Sequence, residues 1–279
     1  MNVARDAPKR PALRYYGGKW KLAPWIISHF PEHQNYVEPC GGAASVLLQK
    51  PRSPLETYND LDGNVVNFFR VLRDQPDELI RKIRLTPWAR AEYELHYAPA
   101  NDRVEQARRF WVGCTYAVSN MPFTSSGMKF EKNKNAMAGV PNVTVYATID
   151  HLEGAAARLK TVQIEHRTYQ EIIGLYDHPT NLFYFDPPYV ASERSSPNTY
   201  AIEWDNARHA QAADLLRQCA GYVVISGYAC NLYRELYEDH GWARVDKEAQ
   251  TNSGGKRIES LWLSPRTVEA LQMPVQLAF

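Results

Sequence analysis

The stretch LFYFDPPY, residues 182–189, joins an apolar run of four residues to a polar, proline-rich end. A short apolar run bounded in this way predicts a fully buried strand of a parallel sheet. Pro187 and Pro188 lack two backbone donors and hold the chain extended just past that strand. The carbonyl oxygen between them and the Asp186 carboxylate are then two fixed acceptors that can grip an exocyclic amino group, and Tyr189 offers a base a flat surface. On these four residues alone, a proline-rich turn that merely leaves a strand explains the pattern equally well.

Short apolar runs alternate with helical patterns on both sides of that stretch, as in an α/β sheet protein. Over residues 65–72 apolar side chains recur near i, i+3, i+4 and i+7, which predicts a helix with one buried face. Strands are predicted at residues 35–39, 55–60, 162–166, 181–186 and 222–226, with a final hairpin of residues 242–249 and 257–263. Helices are predicted at residues 43–50, 203–219 and 231–240. The fold class is therefore α/β.

From residue 76 to residue 159 the pattern changes. Helical periodicity predominates over residues 76–84, 86–96 and 104–116, and a polar stretch, residues 119–141, follows. Strand–helix alternation then resumes. We therefore predict one α/β domain, residues 1–75 and 160–279, interrupted by a mostly helical insert of residues 76–159.

A second motif, EPCGGAA (residues 38–44), follows the first predicted strand and is expected to open a helix. Its glycines would let a ligand approach the backbone at a helix N-terminus. Asp60 ends the next strand, where nucleotide-binding α/β folds place an acidic residue on ribose hydroxyls. The alternatives are a tight strand–helix turn and a dinucleotide site, but the motif G-x-G-x-x-G is absent, which weighs against NAD.

A third motif, YYGGK (residues 15–19), places an aromatic ring and a cation on a flexible turn. It is not a Walker A loop, because Leu13 stands at the first glycine position and Trp20 replaces the Ser or Thr after Lys19. In this order the three motifs resemble the Dam-type family of DNA adenine methyltransferases, the alpha group of amino-methyltransferases. The resemblance covers nearly the whole chain and is nearest to phage- and prophage-type members. Further matches are YVEP (36–39), NDLD (59–62), SGY (226–228) and ESLW (259–262).

The resemblance implies a Rossmann-like S-adenosylmethionine-dependent methyltransferase fold in which the insert, residues 76–159, is a target-recognition domain. It implies that Asp60 holds the ribose hydroxyls and that Asp186 touches both the methionine end of the cofactor and the target amino group. The cofactor-binding residues expected from it are Tyr15, Gly18, Lys19, Glu38, Pro39, Cys40, Gly41, Asp60 and Asp186. The expected catalytic residues are Asp186, Pro187, Pro188 and Tyr189.

The chain departs from the family pattern at three places. Cys40 stands where the family usually has Phe, and Thr168 stands where an Asp is common, near the cofactor's adenine. The insert also lacks the Asn-Gly-x-x-Arg-Tyr-Asn pattern of members that read GATC, so that recognition sequence is not carried over.

Basic residues are concentrated in the insert. Between residues 108 and 134 there are five basic residues and one acid, in a chain whose net charge is +1. Phosphate contacts are expected from this surface, although a solvated helix face followed by a flexible loop gives the same composition. The segment VASERSSPNTY, residues 190–200, is expected to form a mobile lid whose arginine holds a phosphate. The residues predicted to bind DNA are Arg108, Lys129, Lys132, Lys134 and Arg194.

Composition excludes several other classes. The chain of 279 residues is 44% hydrophobic and 23% charged, as in a globular protein, and has no apolar run long enough for a membrane helix. The N-terminus lacks the apolar core of a signal peptide, and the four cysteines form no C-x-x-C pair, so a cytoplasmic location is expected and no membrane contact. No metal site is expected, because Pro31 breaks the helix that would join His29 and His33. The sequence does not decide between a monomer and a homodimer.

The leading hypothesis is an enzyme that transfers a methyl group from S-adenosylmethionine to adenine N6 in double-stranded DNA. The base is flipped out of the stack, its amino group is held by Asp186 and the Pro187 carbonyl, and the methyl group is transferred directly, in line. One rival keeps the fold and methylates cytosine N4 or an RNA base. Another is a non-catalytic DNA-binding relative. The Asp at residue 186 favours adenine as the target base, since SPPY is usual in enzymes that methylate cytosine N4.

Overall fold

The computed structural model describes residues 8–118, 120, 122, 127–129, 149–194, 200–250 and 256–272. Its strands are β1 (Asn35–Glu38), β2 (Leu55–Asn59), β3 (Gln163–Glu165), β4 (Asn181–Phe185), β5 (Tyr222–Gly227), β6 (Ala243–Gln250) and β7 (Lys256–Leu263). Within the described ranges they form one sheet in the order β3-β2-β1-β4-β5-β7-β6. The first five positions have the order of a Rossmann-like sheet, which confirms the α/β fold class predicted from the sequence.

The order in which strands are added to the sheet reverses beside β1, and this reversal determines where a ligand can bind. β1 pairs in parallel with β2 on one side and with β4 on the other. From there the chain builds outward to β3 on one side and to β5 on the other, so a crevice forms beyond the carboxyl ends of β1 and β4. β7 runs antiparallel to both β5 and β6, and it lies between them.

Helices cover both faces of the sheet. They are α1 (Ala23–Ile27), α2 (Gly63–Asp74), α3 (Pro76–Leu85), α4 (Arg90–Leu95), α5 (Arg103–Tyr116), α6 (His151–Leu159), α7 (Tyr169–Tyr176), α8 (Asn206–Arg217), α9 (Asn231–Leu236) and α10 (Pro265–Gln272). Three begin at an Asp whose side chain accepts a backbone N–H of the first turn: Asp62, Asp102 and Asp205. The apolar face predicted over residues 65–72 is buried in α2.

The helices of the insert share the core of the sheet. Leu79 of α3 and Phe110 of α5 lie in one hydrophobic cluster with Phe69 of α2 and Tyr58 of β2. A second cluster on the other face joins Phe183 of β4 to α7 and α8. Within the described residues, therefore, α3, α5 and α6 pack directly on α2 and extend the same core. The division at residues 76–159 stays a prediction.

The helix predicted at residues 43–50 is wrong, because this segment is a series of turns. Leu48 N donates to the Ala44 carbonyl and Lys50 N to the Val46 carbonyl, at 3.0 and 2.9 Å. Just before them, Gly42 and Ala44 have φ of +47° and +52°, in the left-handed region. Two left-handed residues so close together keep residues 42–44 out of any right-handed helix, so the glycine motif faces the cavity from a turn.

None of the helices in the described ranges combines the length and the apolar character that crossing a membrane requires. Over the same ranges, no group of three or more His, Cys, Asp or Glu side chains is arranged to hold a metal ion.

Candidate active site

A cavity with an empty volume of about 910 Å³ opens beyond the carboxyl ends of β1, β2 and β4. The structure brings every residue predicted to bind the cofactor to its walls: Tyr15, Gly18, Lys19, Glu38, Pro39, Cys40, Gly41, Asp60 and Asp186. Of the predicted catalytic residues, Asp186, Pro187 and Pro188 line the same cavity.

The glycine turn after β1 is fixed by Tyr58 and Asp60. A Cβ added at Gly41 would lie 2.2 Å from Cε2 of Tyr58, so no other residue fits there without displacing the ring. The Asp60 carboxylate accepts hydrogen bonds from the backbone N–H groups of Gly42 and Asp62, both at 2.8 Å. Burial raises the pKa of Asp60 to about 6, against the opposing effect of these amides. Asp60 is therefore held at the cavity wall by the backbone itself.

Glu38, at the end of β1, has one bonded and one unbonded oxygen. Its Oε1 accepts the Tyr36 hydroxyl at 2.5 Å and the Leu47 backbone N–H at 2.9 Å. Its Oε2 is buried without a hydrogen-bond partner. Burial raises the pKa of Glu38 to about 8. A buried acceptor that is left open in a cavity wall suits a ligand that carries positive charge or a donor.

The N-terminal motif forms a tight turn that folds Lys19 over the cavity. Gly18 N donates to the Tyr15 carbonyl at 3.1 Å, and Gly17 has φ of +79°. The Lys19 ammonium donates back to the Gly17 carbonyl at 2.7 Å. Tyr15 is tied to the next wall, because its hydroxyl donates to the Asp62 carboxylate at 3.3 Å.

Asp186 stands at the end of β4, between the cofactor motifs and the Pro-Pro loop. Its Oδ2 lies 3.1 Å from the Lys19 ammonium, and its Oδ1 accepts the Ser226 hydroxyl at 2.6 Å. Ser226 is itself 3.1 Å from the Tyr184 hydroxyl. Burial lowers the pKa of Lys19, but the carboxylates of Asp186 and Glu259 outweigh it and hold the pKa above its usual value. The Asp186 carboxylate therefore faces a fixed positive charge.

The Tyr189 ring is enclosed by other side chains. Its hydroxyl donates to Glu259 at 3.0 Å, and its ring meets the Tyr228 ring edge to face, with centroids 4.6 Å apart. The Lys19 ammonium lies 4.5 Å from the ring centroid. Only 3% of Tyr189 is exposed. A base can stack on this ring after one of these neighbours has moved.

The far wall of the cavity consists of residues that sequence reasoning missed. Tyr169, Trp204 and Arg208 line it, and the Arg208 guanidinium lies 4.8 Å from the Trp204 ring centroid. Thr168, at the position where the family commonly has Asp, uses its side chain to cap a helix. Its hydroxyl donates to the Glu171 carboxylate at 2.7 Å and caps α7. The sequence signal for this wall was weak, because single aromatic residues in helices usually indicate core packing.

Sequence reasoning also assigned no role to Ser226 or Glu259, which the structure places against Asp186 and Tyr189. Both belong to the short matches SGY and ESLW, so a signal was present. The motifs alone did not show which residue each of these side chains contacts. Ser226 and Asp186 are 40 residues apart, and Glu259 and Tyr189 are 70 apart.

Among the described residues predicted to bind DNA, both arginines are engaged by carboxylates. Arg108 is buried, with its guanidinium 2.6 Å from Glu92 and 2.7 Å from Glu105, and this ion-pair network leaves the prediction of a phosphate contact unsupported. Arg194 is likewise buried and lies 2.6 Å from Glu203.

The three lysines predicted to bind DNA fall into two groups. Lys129 donates to the Thr115 carbonyl at 2.9 Å and to the Asn120 side chain at 2.5 Å. Burial lowers its pKa to about 8. Lys132 and Lys134 lie outside the described residues, as does part of the predicted lid, at residues 195–199.

Known proteins resemble this chain over most of its length. The Type II methyltransferase M1.LlaDCHI of Lactococcus lactis subsp. cremoris is 25% identical over 276 residues, 90% of this chain and 93% of that protein. A DNA adenine methylase of Haemophilus influenzae is 25% identical over 250 residues, 85% of each chain. A DNA adenine methylase of Vibrio cholerae is 31% identical over 99 residues, 35% of this chain and 31% of that protein. The family described as D12 class N6 adenine-specific DNA methyltransferase matches residues 15–252, which run from the Tyr15 turn through the Asp186 loop, and the chain belongs to this family.

Proposed function

We propose that the cavity binds S-adenosylmethionine and that the loop from Asp186 to Tyr189 receives an adenine turned out of double-stranded DNA. The methyltransferase family implies use of this cofactor and a DNA substrate. The observation that carries the assignment of residues is the position of Asp186. Its carboxylate lines the cofactor cavity and begins the rigid Pro187-Pro188 segment, so one group can serve both ligands.

The residues of the cavity fit the cofactor. S-adenosylmethionine carries an ammonium, a sulfonium and two ribose hydroxyls, and three acidic side chains line the walls: Glu38, Asp60 and Asp186. When Glu38 is ionised, its open, buried Oε2 is an acceptor for a donor or a cation. Asp60, fixed by two amides, retains lone pairs that could accept the ribose hydroxyls. When bound, the cofactor supplies a methyl group already activated by its sulfonium.

The acceptor side is formed by the chain's own rigid groups. Asp186 and the Pro187 carbonyl would accept the two hydrogens of the adenine amino group, which draws the nitrogen lone pair out of conjugation with the ring. Lys19 balances the Asp186 charge while the site is free of a base, and it would give way as the amino group arrives. Tyr189 would then stack on the base and hold it in place. Positioning of this kind supplies much of the rate of a bimolecular transfer.

The DNA surface is proposed within residues 76–159. Lys132 and Lys134 are the candidates for phosphate contacts, on the basis of charge and position in the chain. Arg108 and Arg194 are left out because carboxylates already engage their guanidinium groups. A DNA substrate and four free cysteines support a cytoplasmic site of action.

Sequencing of methylated bases in DNA from cells that express the protein tests this function. We expect N6-methyladenine within one defined flanking sequence, and no modification in cells that produce Asp186→Ala. Asp74→Ala, which changes a half-exposed aspartate at the end of α2, is the matched control and should methylate like the wild type. N4-methylcytosine at defined sites, or label from tritiated cofactor in RNA and not in DNA, would contradict the proposal.

A further inference from the structure

β7 places two charged side chains against the two tyrosines of the proposed base site. Arg257 and Glu259 are two residues apart, so they lie on the same face of the strand. The Arg257 guanidinium donates to the Tyr228 hydroxyl at 2.9 Å, and the Tyr189 hydroxyl donates to Glu259 Oε2 at 3.0 Å. The two rings meet edge to face at an interplanar angle of 82°. One strand thus holds the outer ends of both rings.

We propose that Glu259 is a positioning residue, which holds the Tyr189 ring through the phenolic hydrogen bond in the orientation needed to stack the target base. The inference rests on the role proposed above for Tyr189. Glu259 itself touches neither the base nor the cofactor in this scheme.

The position of Glu259 in the sheet suits it to this role. It pairs with Lys247 on β6, and the next residue, Ser260, pairs with Gly227 on β5. Pairing of Glu259 on one side and of Ser260 on both sides restrains this part of the backbone, and rigid elements fix a functional side chain better than loops do. Pro188 restrains the backbone before Tyr189, so Glu259 fixes the end of the ring that the backbone leaves free.

Burying a carboxylate costs free energy of desolvation that a residue needed only for packing would not require. Glu259 is largely withdrawn from water, and burial raises its pKa, against the opposing effect of Lys19. A neutral side chain of similar shape would fill the space without that cost. What the carboxylate adds is a strong acceptor for the Tyr189 hydroxyl.

The test is single-turnover methylation of plasmid DNA with saturating tritiated S-adenosylmethionine. Glu259→Ala and Tyr189→Phe should each lower the rate about 10- to 100-fold, the scale expected when a reacting group is misplaced by about 1 Å. Glu259→Gln should stay within about threefold of the wild type, because the amide oxygen still accepts. The double variant Tyr189→Phe with Glu259→Ala should fall no more than about threefold below the slower single variant, since both remove one bond.

Two controls separate positioning from loss of structure. The affinity for S-adenosylhomocysteine, measured by calorimetry, should stay within about twofold in every variant, because Glu259 does not line the cavity among the described residues. Glu248→Ala, which removes an exposed carboxylate of the same hairpin 3.1 Å from Lys256, should leave the rate unchanged.

Three results would overturn the inference: full activity in Glu259→Ala, multiplied losses in the double variant, or equal impairment in Glu259→Gln and Glu259→Ala. If Glu259→Ala fails to fold, Tyr189→Phe and Glu259→Gln still decide, because an active Tyr189→Phe removes the need for the bond. Tyr189→Ala distinguishes the two proposals. If it is inactive while Glu259→Ala is fully active, the role of Tyr189 stands and that of Glu259 falls.

Discussion

The two ends of the cavity, which we propose as a cofactor end and an acceptor end, hold their acidic side chains in different ways. At the cofactor end, Asp60 is held by the backbone N–H groups of Gly42 and Asp62. At the acceptor end, Asp186 is held by the side chains of Ser226 and Lys19. Amides of a folded turn move only with the turn, whereas a side chain can leave its partner by changing rotamer. We infer that the cofactor end is ready for its ligand and that the acceptor end exchanges partners when a base enters.

The largest effect is expected at the acceptor end, from Asp186→Ala. It should reduce methyl transfer by more than about 100-fold, because a preorganised polar contact at the reacting group is lost. Ser226→Ala should cost only about 3- to 10-fold, since the Asp186 carboxylate itself remains to accept the amino group. Tritium transfer to DNA measures both. Equal losses in the two variants would show that Asp186 needs Ser226 as much as it needs its own charge.

At the cofactor end, Asp60→Ala should weaken binding of S-adenosylhomocysteine by about 1.5–3 kcal/mol, roughly 10- to 100-fold. The hydrogen bonds to the ribose would be lost together with the brace on Gly42. DNA affinity, measured in parallel by fluorescence anisotropy, should change little. Unchanged calorimetric affinity would remove Asp60 from the cofactor site.

Glu38 allows the cofactor end to be probed by pH. Its pKa is about 8 in the folded protein against 4.5 for the ordinary group, so the folded state favours the protonated form. Its stabilising contribution is therefore complete below about pH 4.5 and is lost as the pH rises through 8. Relative to Glu38→Gln, the wild type should lose about 1.4 kcal/mol of unfolding free energy per pH unit across that window.

Urea unfolding of the wild type and of Glu38→Gln measures this difference at about pH 5, 6, 7 and 8, which cover the window. Glu32→Gln, at an exposed carboxylate, is the control and should run parallel to the wild type. If the wild type and Glu38→Gln have parallel pH profiles, Glu38 does not take up a proton on folding.

The smallest effect is expected from Lys129→Ala on DNA binding. Its ammonium donates to the Thr115 carbonyl and the Asn120 side chain, so, like Asp60, it is held by the fold. The slope of log affinity against log salt should change by less than about 0.5. The double variant Lys132→Ala with Lys134→Ala should flatten the slope by up to about two. Fluorescence anisotropy from about 50 to 200 mM salt, the range over which counterion release is usually measured, tests both variants. A large change of slope in Lys129→Ala would contradict the comparison.

The sequence was sufficient for β4 and β5 because these strands are almost fully buried and contain continuous apolar runs, as LFYF does at residues 182–185. It failed at residues 43–50, where apolar and small residues imitate a helix. The obstacle there is Ala44, whose left-handed φ of +52° has no signature in its residue type. Gly42 alone would have been compatible with a helix beginning one residue later.

The cavity-lining positions of Glu38, Asp60 and Asp186 were predictable because each lies in a short motif at a strand end, and strand ends meet at one edge of a parallel sheet. The DNA residues were not, because charge was counted along the chain. Arg108 is 16 residues from Glu92, and the sequence does not reveal that two helices bring them within 2.6 Å. Glu259 and Tyr189 present the same difficulty at a separation of 70 residues.

The late position of β7 in the chain has a consequence for the order in which the enzyme becomes active. The strands that end at Glu38, Asn59 and Phe185 precede it in the chain, as do the other segments that line the cavity. β7 is the last strand to be made, and it enters between β5 and β6 after both. During synthesis, the nascent protein should therefore bind its cofactor before the Tyr189 hydroxyl acquires its acceptor on β7. Competence to modify DNA is then acquired with the last strand of the sheet.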